Sequence, residues 1–150
     1  MSADTSWFTS LIRDIADYPS PGVTFRDITP MLGDGPAFSR AGRELAERFD
    51  GVQVDRVLGM EARGFIVAAP IAVALGAGFV PVRKAGKLPC AVVREVIDDV
   101  LATGGTAAAT CRLVEELGGA IVGLGFLIEI GELDGRSRLG EHRVESLTRY

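Results

Sequence analysis

This sequence is poor in the residues from which many active sites are built. Its 150 residues include a single histidine, His142, which argues against a histidine-centred catalytic triad or a multi-histidine metal site. The only two cysteines, Cys90 and Cys111, do not have the spacing of a metal-binding motif. Cys111 lies within a predicted helix, and we expect it to belong to the core.

Long apolar runs and an excess of positive charge are also missing. No apolar segment is long and uninterrupted enough to span a bilayer, and the first ten residues have no basic segment followed by an apolar run. The net charge of -4 gives no electrostatic reason to expect binding to nucleic acid or to an anionic membrane. We therefore expect a cytoplasmic protein in which both cysteines are reduced.

The remaining composition is that of a globular α/β protein, with 47% hydrophobic and 24% charged residues. A chain of 150 residues is long enough for one domain with its own core and too short for two ordinary domains. Apolar spacing and turn residues predict alternating helices and strands. The predicted helices cover residues 6–16, 36–49, 64–76 and 106–117, and the predicted strands cover 55–60, 79–82, 91–97, 120–130 and 144–150.

The stretch VIDDVLATGGT, residues 96–106, has the order strand, two acids, small-residue turn and helix start. Gly104 and Gly105 allow positive φ and close approach of the backbone, so several N–H groups can converge on one anion at the helix N-terminus. Asp98 and Asp99, adjacent on a strand, point to opposite faces, so one of them can reach ligand hydroxyls. The pattern favours a sugar phosphate. An ordinary Gly-Gly turn with a capping Asp is the alternative.

Basic residues follow two of the predicted strands. Arg63, in GMEARGF, lies at the start of an apolar helix, where the dipole does not favour a cation but a planar guanidinium can bind pyrophosphate. Arg83, Lys84 and Lys87 cluster after the next strand, at the end where a polyanionic substrate would lie. The alternative for all four residues is an ordinary solvated surface.

The segment DYPSPGVTFRDITP, residues 17–30, is broken by prolines and by Gly22, which predicts a short strand or loop that carries Phe25 and Arg26. An aromatic ring in a polar loop can stack on a flat, aromatic ligand. The alternative is that Phe25 fills the core.

These motifs together resemble the type I phosphoribosyltransferases, and most closely the adenine phosphoribosyltransferases. VIDDVLATGGT matches the family's phosphoribosyl-pyrophosphate signature, and PGVTFRDITP, GMEARGF and RKAGKLP match other family segments, so that the likeness covers nearly the whole chain with one gap. The resemblance implies a mostly parallel sheet flanked by helices, with a reduced hood. It also implies a purine-side segment over about residues 1–30, a core over about 31–150, and a non-proline cis peptide at Glu61-Ala62.

The resemblance implies an enzyme that converts adenine and 5-phosphoribosyl 1-pyrophosphate to AMP and pyrophosphate. The almost wholly apolar helix predicted over residues 64–76 favours a homodimer, because the sheet and a partner subunit together would cover it. Magnesium would be bound mainly through the substrate, and no protein metal site is expected. The implied roles are catalysis for Asp98, Asp99 and Arg63; 5′-phosphate binding for Ala102, Thr103, Gly104, Gly105 and Thr106; pyrophosphate binding for Arg63, Arg83, Lys84 and Lys87; and purine binding for Phe25, Arg26 and Ile130.

One segment departs from the family pattern. Between Pro89 and Asp98 the chain has only CAVVREVI, where adenine phosphoribosyltransferases carry about two dozen more residues. That stretch, the hood, includes an S-x-x-x-E-Y-G-like segment whose Glu is the usual acid/base at the purine. Arg94 and Glu95 also interrupt the run that must supply a buried central strand. The alternative is therefore a protein that binds AMP or phosphoribosyl pyrophosphate with little or no catalysis. Another purine is a further possible substrate, because every purine can stack on Phe25.

Overall fold

The computed structural model describes residues 6–83 and 96–150. The chain divides into two compact units, Met1–Ala41 and Gly42–Tyr150. The first unit contains α1 (Ser6–Thr9), β1 (Arg13–Ile15), β2 (Phe25–Asp27), α2 (Thr29–Gly33) and the beginning of α3 (Gly35–Glu47).

The helix predicted over residues 6–16 is wrong beyond its first turn. The helix ends at Thr9, and Arg13–Ile15 pair antiparallel with Phe25–Asp27. Arg13 Nη2 lies 2.5 Å from Asp27 Oδ2, so the cross-strand ion pair holds the segment extended despite its helical apolar spacing. The Asp27 carboxylate also accepts the Thr29 N–H at 2.9 Å, and bonds to the Thr29 hydroxyl and backbone and to Arg13 lower the pKa of Asp27 to about 2.

Helix α3 confirms the prediction from its apolar face and turn residues. Asp34 Oδ1 accepts the N–H of Ala37 at 2.8 Å and so caps the helix, and Pro36 occupies its first turn. Ala41, Leu45 and the following Phe49 are buried.

The second unit is built on a five-stranded sheet in the order β4-β3-β5-β6-β7, and every neighbouring pair is parallel. The α/β fold class expected from the sequence is thus confirmed. The strands are β3 (Arg56–Met60), β4 (Gly78–Val82), β5 (Val96–Leu101), β6 (Leu124–Glu129) and β7 (Val144–Arg149).

Helices α4 (Arg63–Leu75) and α5 (Gly105–Glu116) follow β3 and β5 and pack on the sheet. Apolar side chains from the sheet and α5 form a buried cluster that includes Leu58, Leu101, Phe126 and Val114. Cys111 is buried in the same cluster, as its place in the sequence predicts. No helix within residues 6–83 and 96–150 is long and apolar enough to cross a membrane.

One predicted strand begins later than expected, and part of another lies outside the described residues. The strand predicted over residues 120–130 begins only at Leu124, where backbone pairing with β5 and β7 starts, although its buried character is confirmed. The described part of the central strand begins at Val96, and residues 91–95 lie outside the described residues. Residues 131–133 and 135–139 form two short 3-10 helices between β6 and β7.

Gly59 allows β3 and α4 to approach closely. A β-carbon at this position would lie 2.8 Å from the Gly64 carbonyl oxygen and 2.9 Å from the Ala68 β-carbon. We predict that Gly59→Ala lowers the free energy of unfolding by about 1–3 kcal/mol, because the added methyl overpacks a backbone contact. Urea denaturation measures the loss.

Gly42→Ala is the matched control for Gly59→Ala. A β-carbon at Gly42, inside α3, would meet only the Pro70 β-carbon at 3.9 Å. The exchange should stabilise the helix by about 0.5–1 kcal/mol. Equal effects of the two substitutions would contradict the packing described for Gly59.

Candidate functional site

The candidate site lies where the chain changes direction across the sheet. The chain leaves β3 for β4 on one side and then returns to β5 on the other side of β3. In parallel sheets, ligands bind at such a switch point, outside the carboxyl ends of the strands. The loop after β3 and the loop after β5 therefore meet at one edge, which brings together the two motifs that sequence reasoning selected.

The 102–106 loop joins β5 to α5. Gly104 has φ 73° and ψ 0°, a left-handed conformation that favours glycine, and it directly precedes the first residue of the helix. The loop lines an open cavity of about 80 Å³ together with Val100, Leu101, Ala107 and Phe126. The first N–H groups of a helix have no acceptor within it, so a helix that begins beside this cavity offers donors to an anion.

Asp99 and Arg63, which were predicted separately, meet at this edge. The Asp99 side chain is 9% exposed, and its Oδ2 lies 2.9 Å from Arg63 Nε. Arg63 begins α4 and is 42% exposed, so the guanidinium can reach a ligand as well as the acid. The backbone of Asp98 belongs to β5, but its side chain lies outside the described residues.

The loop after β3 carries a second ion pair and the expected cis peptide. The Glu61-Ala62 bond is cis, which confirms that prediction. Glu61 Oε2 lies 3.1 Å from Arg83 Nε, and the Glu61 N–H donates to the Val82 carbonyl at 3.0 Å. Glu61 and Arg83 line a cavity of about 220 Å³, which Thr106 also borders. Lys84 and Lys87 lie outside the described residues.

The candidate purine-binding residues belong to different units, and each is described within its own. In the first unit Phe25 is half-buried, and its ring makes an edge contact with Tyr18 at a centroid distance of 5.4 Å. Arg26 forms an ion pair with Asp14 across β1 and β2. In the second unit Ile130 is half-buried at the end of β6, and its N–H donates to the Leu101 carbonyl at 2.9 Å.

Sequence reasoning missed the role of Glu129 and Arg136. Glu129 is buried at the carboxyl end of β6, where Arg136 Nε and Nη2 donate to its two oxygens at 3.0 and 2.6 Å. Ser146 Oγ donates to Oε2 at 3.0 Å, and these bonds, above all those from Arg136, lower the pKa of Glu129. A carboxylate at the end of an all-buried strand, followed by an Arg-containing turn, was the signal available in the sequence.

Within the described residues, no three His, Cys, Asp or Glu side chains are grouped as they would be around a metal ion. His142, the single histidine, lies 3.4 Å from Glu115 through its Nε2. The buried Asp99 carboxylate at the 102–106 loop is a hard oxygen donor that could assist a divalent cation held by a substrate.

The chain was compared with known proteins, and no family model matches it. It is 45% identical to an adenine phosphoribosyltransferase from Desulfitobacterium hafniense (strain Y51), over 95% of this chain and 97% of that protein. The crystal structure of adenine phosphoribosyltransferase from Thermoanaerobacter pseudethanolicus ATCC 33223 has a TM-score of 0.91 at 40% identity, and covers 97% of this chain and 99% of the other. The Saccharomyces cerevisiae enzyme, complexed with adenine and an imino-altritol bisphosphate, has a TM-score of 0.88 at 34% identity over 99% and 100%.

The Glu129–Arg136 ion pair should make the stability of the fold depend on pH. Because the pKa of Glu129 is lowered in the folded protein, its ionised form stabilises the fold at pH above the usual value of 4.5. That contribution is lost as the pH falls through the folded-state pKa. Glu129→Gln should therefore cost about 1.5–3 kcal/mol at pH 7, and the difference from wild type should shrink below about pH 4.5.

Urea denaturation between pH 3 and pH 7 measures this difference. Glu132→Gln, at an exposed acid of the following turn, is the control and should change stability little at any pH. A Glu129→Gln deficit that stays constant across the range would contradict the role assigned to the ionised carboxylate.

Proposed function

This chain belongs to the adenine phosphoribosyltransferase family, and we propose that it converts adenine and 5-phosphoribosyl 1-pyrophosphate to AMP and pyrophosphate. In this reaction the purine nitrogen N9 forms a bond to ribose C1′, the bond from C1′ to pyrophosphate breaks, and the N9 proton is released. The observation that carries the proposal is the 102–106 loop, a left-handed glycine and a helix start beside an open cavity at the switch point of the sheet.

The 102–106 loop is proposed to hold the 5′-phosphate. Backbone N–H groups at the start of α5 and the Thr106 hydroxyl would donate to the phosphate oxygens, and the helix dipole favours their negative charge. Thr106 lines both the cavity at the 102–106 loop and the cavity that Glu61 and Arg83 border. Fixing the phosphate orients the ribose ring before the reaction.

Asp98 and Asp99 are proposed to contact the ribose hydroxyls. Asp99 forms an ion pair with Arg63, whose Nε lies 2.9 Å from its Oδ2. Magnesium would be held mainly through substrate oxygens, with these carboxylates nearby, and when bound it neutralises charge on the diphosphate. The residues present suit that arrangement because hard cations prefer oxygen ligands.

The leaving pyrophosphate is proposed to lie against Arg63, Arg83, Lys84 and Lys87. In the described part of this group, each arginine has an acidic partner: Asp99 for Arg63, and Glu61 for Arg83. An oxocarbenium-like transition state needs no covalent bond to the protein. Positioning of the substrates and stabilisation of charge would therefore account for most of the catalysis.

Phe25 and Arg26 in the first unit, and Ile130 in the second, are each proposed as purine-binding residues. The half-buried ring of Phe25 leaves surface available for stacking, which suits adenine. The Saccharomyces cerevisiae relative was crystallised with adenine, and that of Giardia lamblia, 33% identical to this chain, with 9-deazaadenine. These complexes support adenine over another purine for this chain.

One observation supports a weaker or non-catalytic role as the second candidate. The alignment with the Desulfitobacterium hafniense protein runs over 168 positions, more than the 150 residues of this chain, so that relative carries residues without a counterpart here. This agrees with a shortened hood, which in the family provides the Glu expected as acid/base. A chain that binds AMP without forming it is therefore the alternative to test.

The decisive experiment combines turnover and binding. Labelled adenine with phosphoribosyl pyrophosphate and magnesium should yield AMP, and calorimetry should show AMP binding. Thr106→Ala should weaken AMP affinity about tenfold, because it removes a hydroxyl donor to a charged phosphate.

Thr9→Ala, in the first unit, is the control for Thr106→Ala and should bind AMP as the wild type does. Wild-type affinity in Thr106→Ala would remove the phosphate site from the 102–106 loop. AMP binding without AMP formation would instead support the non-catalytic candidate. Activity gained by a chain with a hood of family length would assign the defect to that segment.

A homodimer is proposed from the outer face of α4. Ile66 and Val73, seven residues apart on this helix, are 46% and 81% exposed. Apolar residues at that spacing lie on one helix face, and a second copy of the chain would cover them. The proposed compartment remains the cytoplasm, where the free thiol of Cys111 would stay reduced.

Light scattering tests the dimer. The wild type should have twice the mass of the 15.9 kDa chain, and Val73→Lys should shift it towards one copy because a charge at the interface is costly. Leu117→Lys, at a 52% exposed residue after α5, is the matched control and should leave the mass unchanged. A monomeric wild type at micromolar concentration would exclude a stable dimer.

A further inference from the structure

The turn after β6 lies directly against the 102–106 loop. A β-carbon built on Gly104 would lie 2.3 Å from the Gly135 carbonyl oxygen. One built on Gly135 would lie 2.1 Å from the Ala102 carbonyl oxygen and 2.8 Å from the Gly104 nitrogen. Two backbones are thus in contact with no room for a side chain on either, and Gly135 itself is buried.

The turn is held in place from its other side. Arg136, the next residue, donates two bonds to the buried Glu129 carboxylate and a third, from Nη1, to the Val144 carbonyl at 2.9 Å. The Glu129 carboxylate is held in turn by Ser146. Gly135 is therefore anchored to the ends of β6 and β7, and cannot shift away from the loop without breaking charge-assisted hydrogen bonds.

The same turn places a cation beside the start of α5. Arg138 Nη1 lies 3.8 Å from the point that a β-carbon on Gly105 would occupy. Arg138 is exposed, and within the described residues it has no hydrogen bond or ion pair, in contrast to Arg136. A guanidinium beside a helix N-terminus opposes the helix dipole, and an anion bound between them would relieve that repulsion.

We propose that the Gly135–Leu139 turn is the second wall of the phosphate site, in which Gly135 positions the 102–106 loop and Arg138 contacts the 5′-phosphate. This inference rests on the proposed function and adds two residues to it. The positioning follows from the backbone contact, because any displacement of Gly135 moves Ala102 and Gly104. The charge follows from Arg138, a cation without a partner among residues 6–83 and 96–150, at the helix end where a phosphate is proposed.

The experiment compares AMP, which carries the phosphate, with adenine, which does not. Gly135→Ala and Arg138→Gln should each weaken AMP affinity about tenfold by calorimetry, since both act on a charged ligand. Adenine affinity should stay at the wild-type value. Arg138→Lys should retain more AMP affinity than Arg138→Gln, because it keeps the charge but loses the planar fork.

Two controls separate this role from general damage to the fold. Gly140→Ala introduces a side chain at φ 60° with nothing within 4 Å, so it should lower the melting temperature without changing AMP affinity. Arg112→Gln removes an exposed arginine that borders the same cavity of about 190 Å³ as Arg138, but from two turns further along α5. It should bind AMP as the wild type does.

The outcomes distinguish this inference from the proposed function. Wild-type AMP affinity in Arg138→Gln, or in folded Gly135→Ala, overturns the inference while AMP binding by the wild type sustains the proposed function. An equal loss of AMP and adenine affinity also overturns it, since that would reflect general damage. A wild type that binds no AMP removes both. If Gly135→Ala does not fold, the Arg138 pair of variants decides the result.

Discussion

The parallel pairing of β5 between β3 and β6 is the constraint on which the candidate site depends. Because all three strands run in the same direction, the segments that follow them meet at one edge of the sheet. That edge receives the loop after β3, the 102–106 loop and the turn after β6. Residues far apart in sequence, such as Arg63 and Asp99, come within 2.9 Å of each other there.

The shape of the candidate site at this edge is set mainly by backbone conformation, and side-chain ion pairs hold that backbone in place. The 102–106 loop has few functional side chains of its own, and its shape comes from a left-handed Gly104 and from contact with Gly135. In the turn after β6, Arg136 forms a bidentate ion pair with the buried Glu129 carboxylate. Loss of the Arg136 side chain would therefore leave a buried charge unpaired. The residues that support the loop thus differ from those proposed to bind the anion.

Charge at the site is balanced in a way that suits a polyanionic ligand. Arg63 and Arg83 each form an ion pair with one carboxylate, Asp99 and Glu61 respectively. Arg138 is an exposed cation beside the start of α5, and it has no hydrogen bond or ion pair within the described part of the chain. A bound phosphoribosyl group would complete this balance, which is the physical basis for assigning the turn to the same site.

The sequence alone determined the α/β class, the glycine-rich loop, the helix starts and the identity of most candidate residues, because these depend on local spacing and on a long family motif. It failed for residues 10–15, where a cross-strand Arg13–Asp27 pair outweighs helical spacing, since such a pair is invisible in a local pattern. It also gave Arg136 and Arg138 no role. Only the tertiary structure shows the contact of Gly135 with Gly104 and the Arg136–Glu129 pair, because these join segments whose proximity follows from strand order, not from distance along the chain.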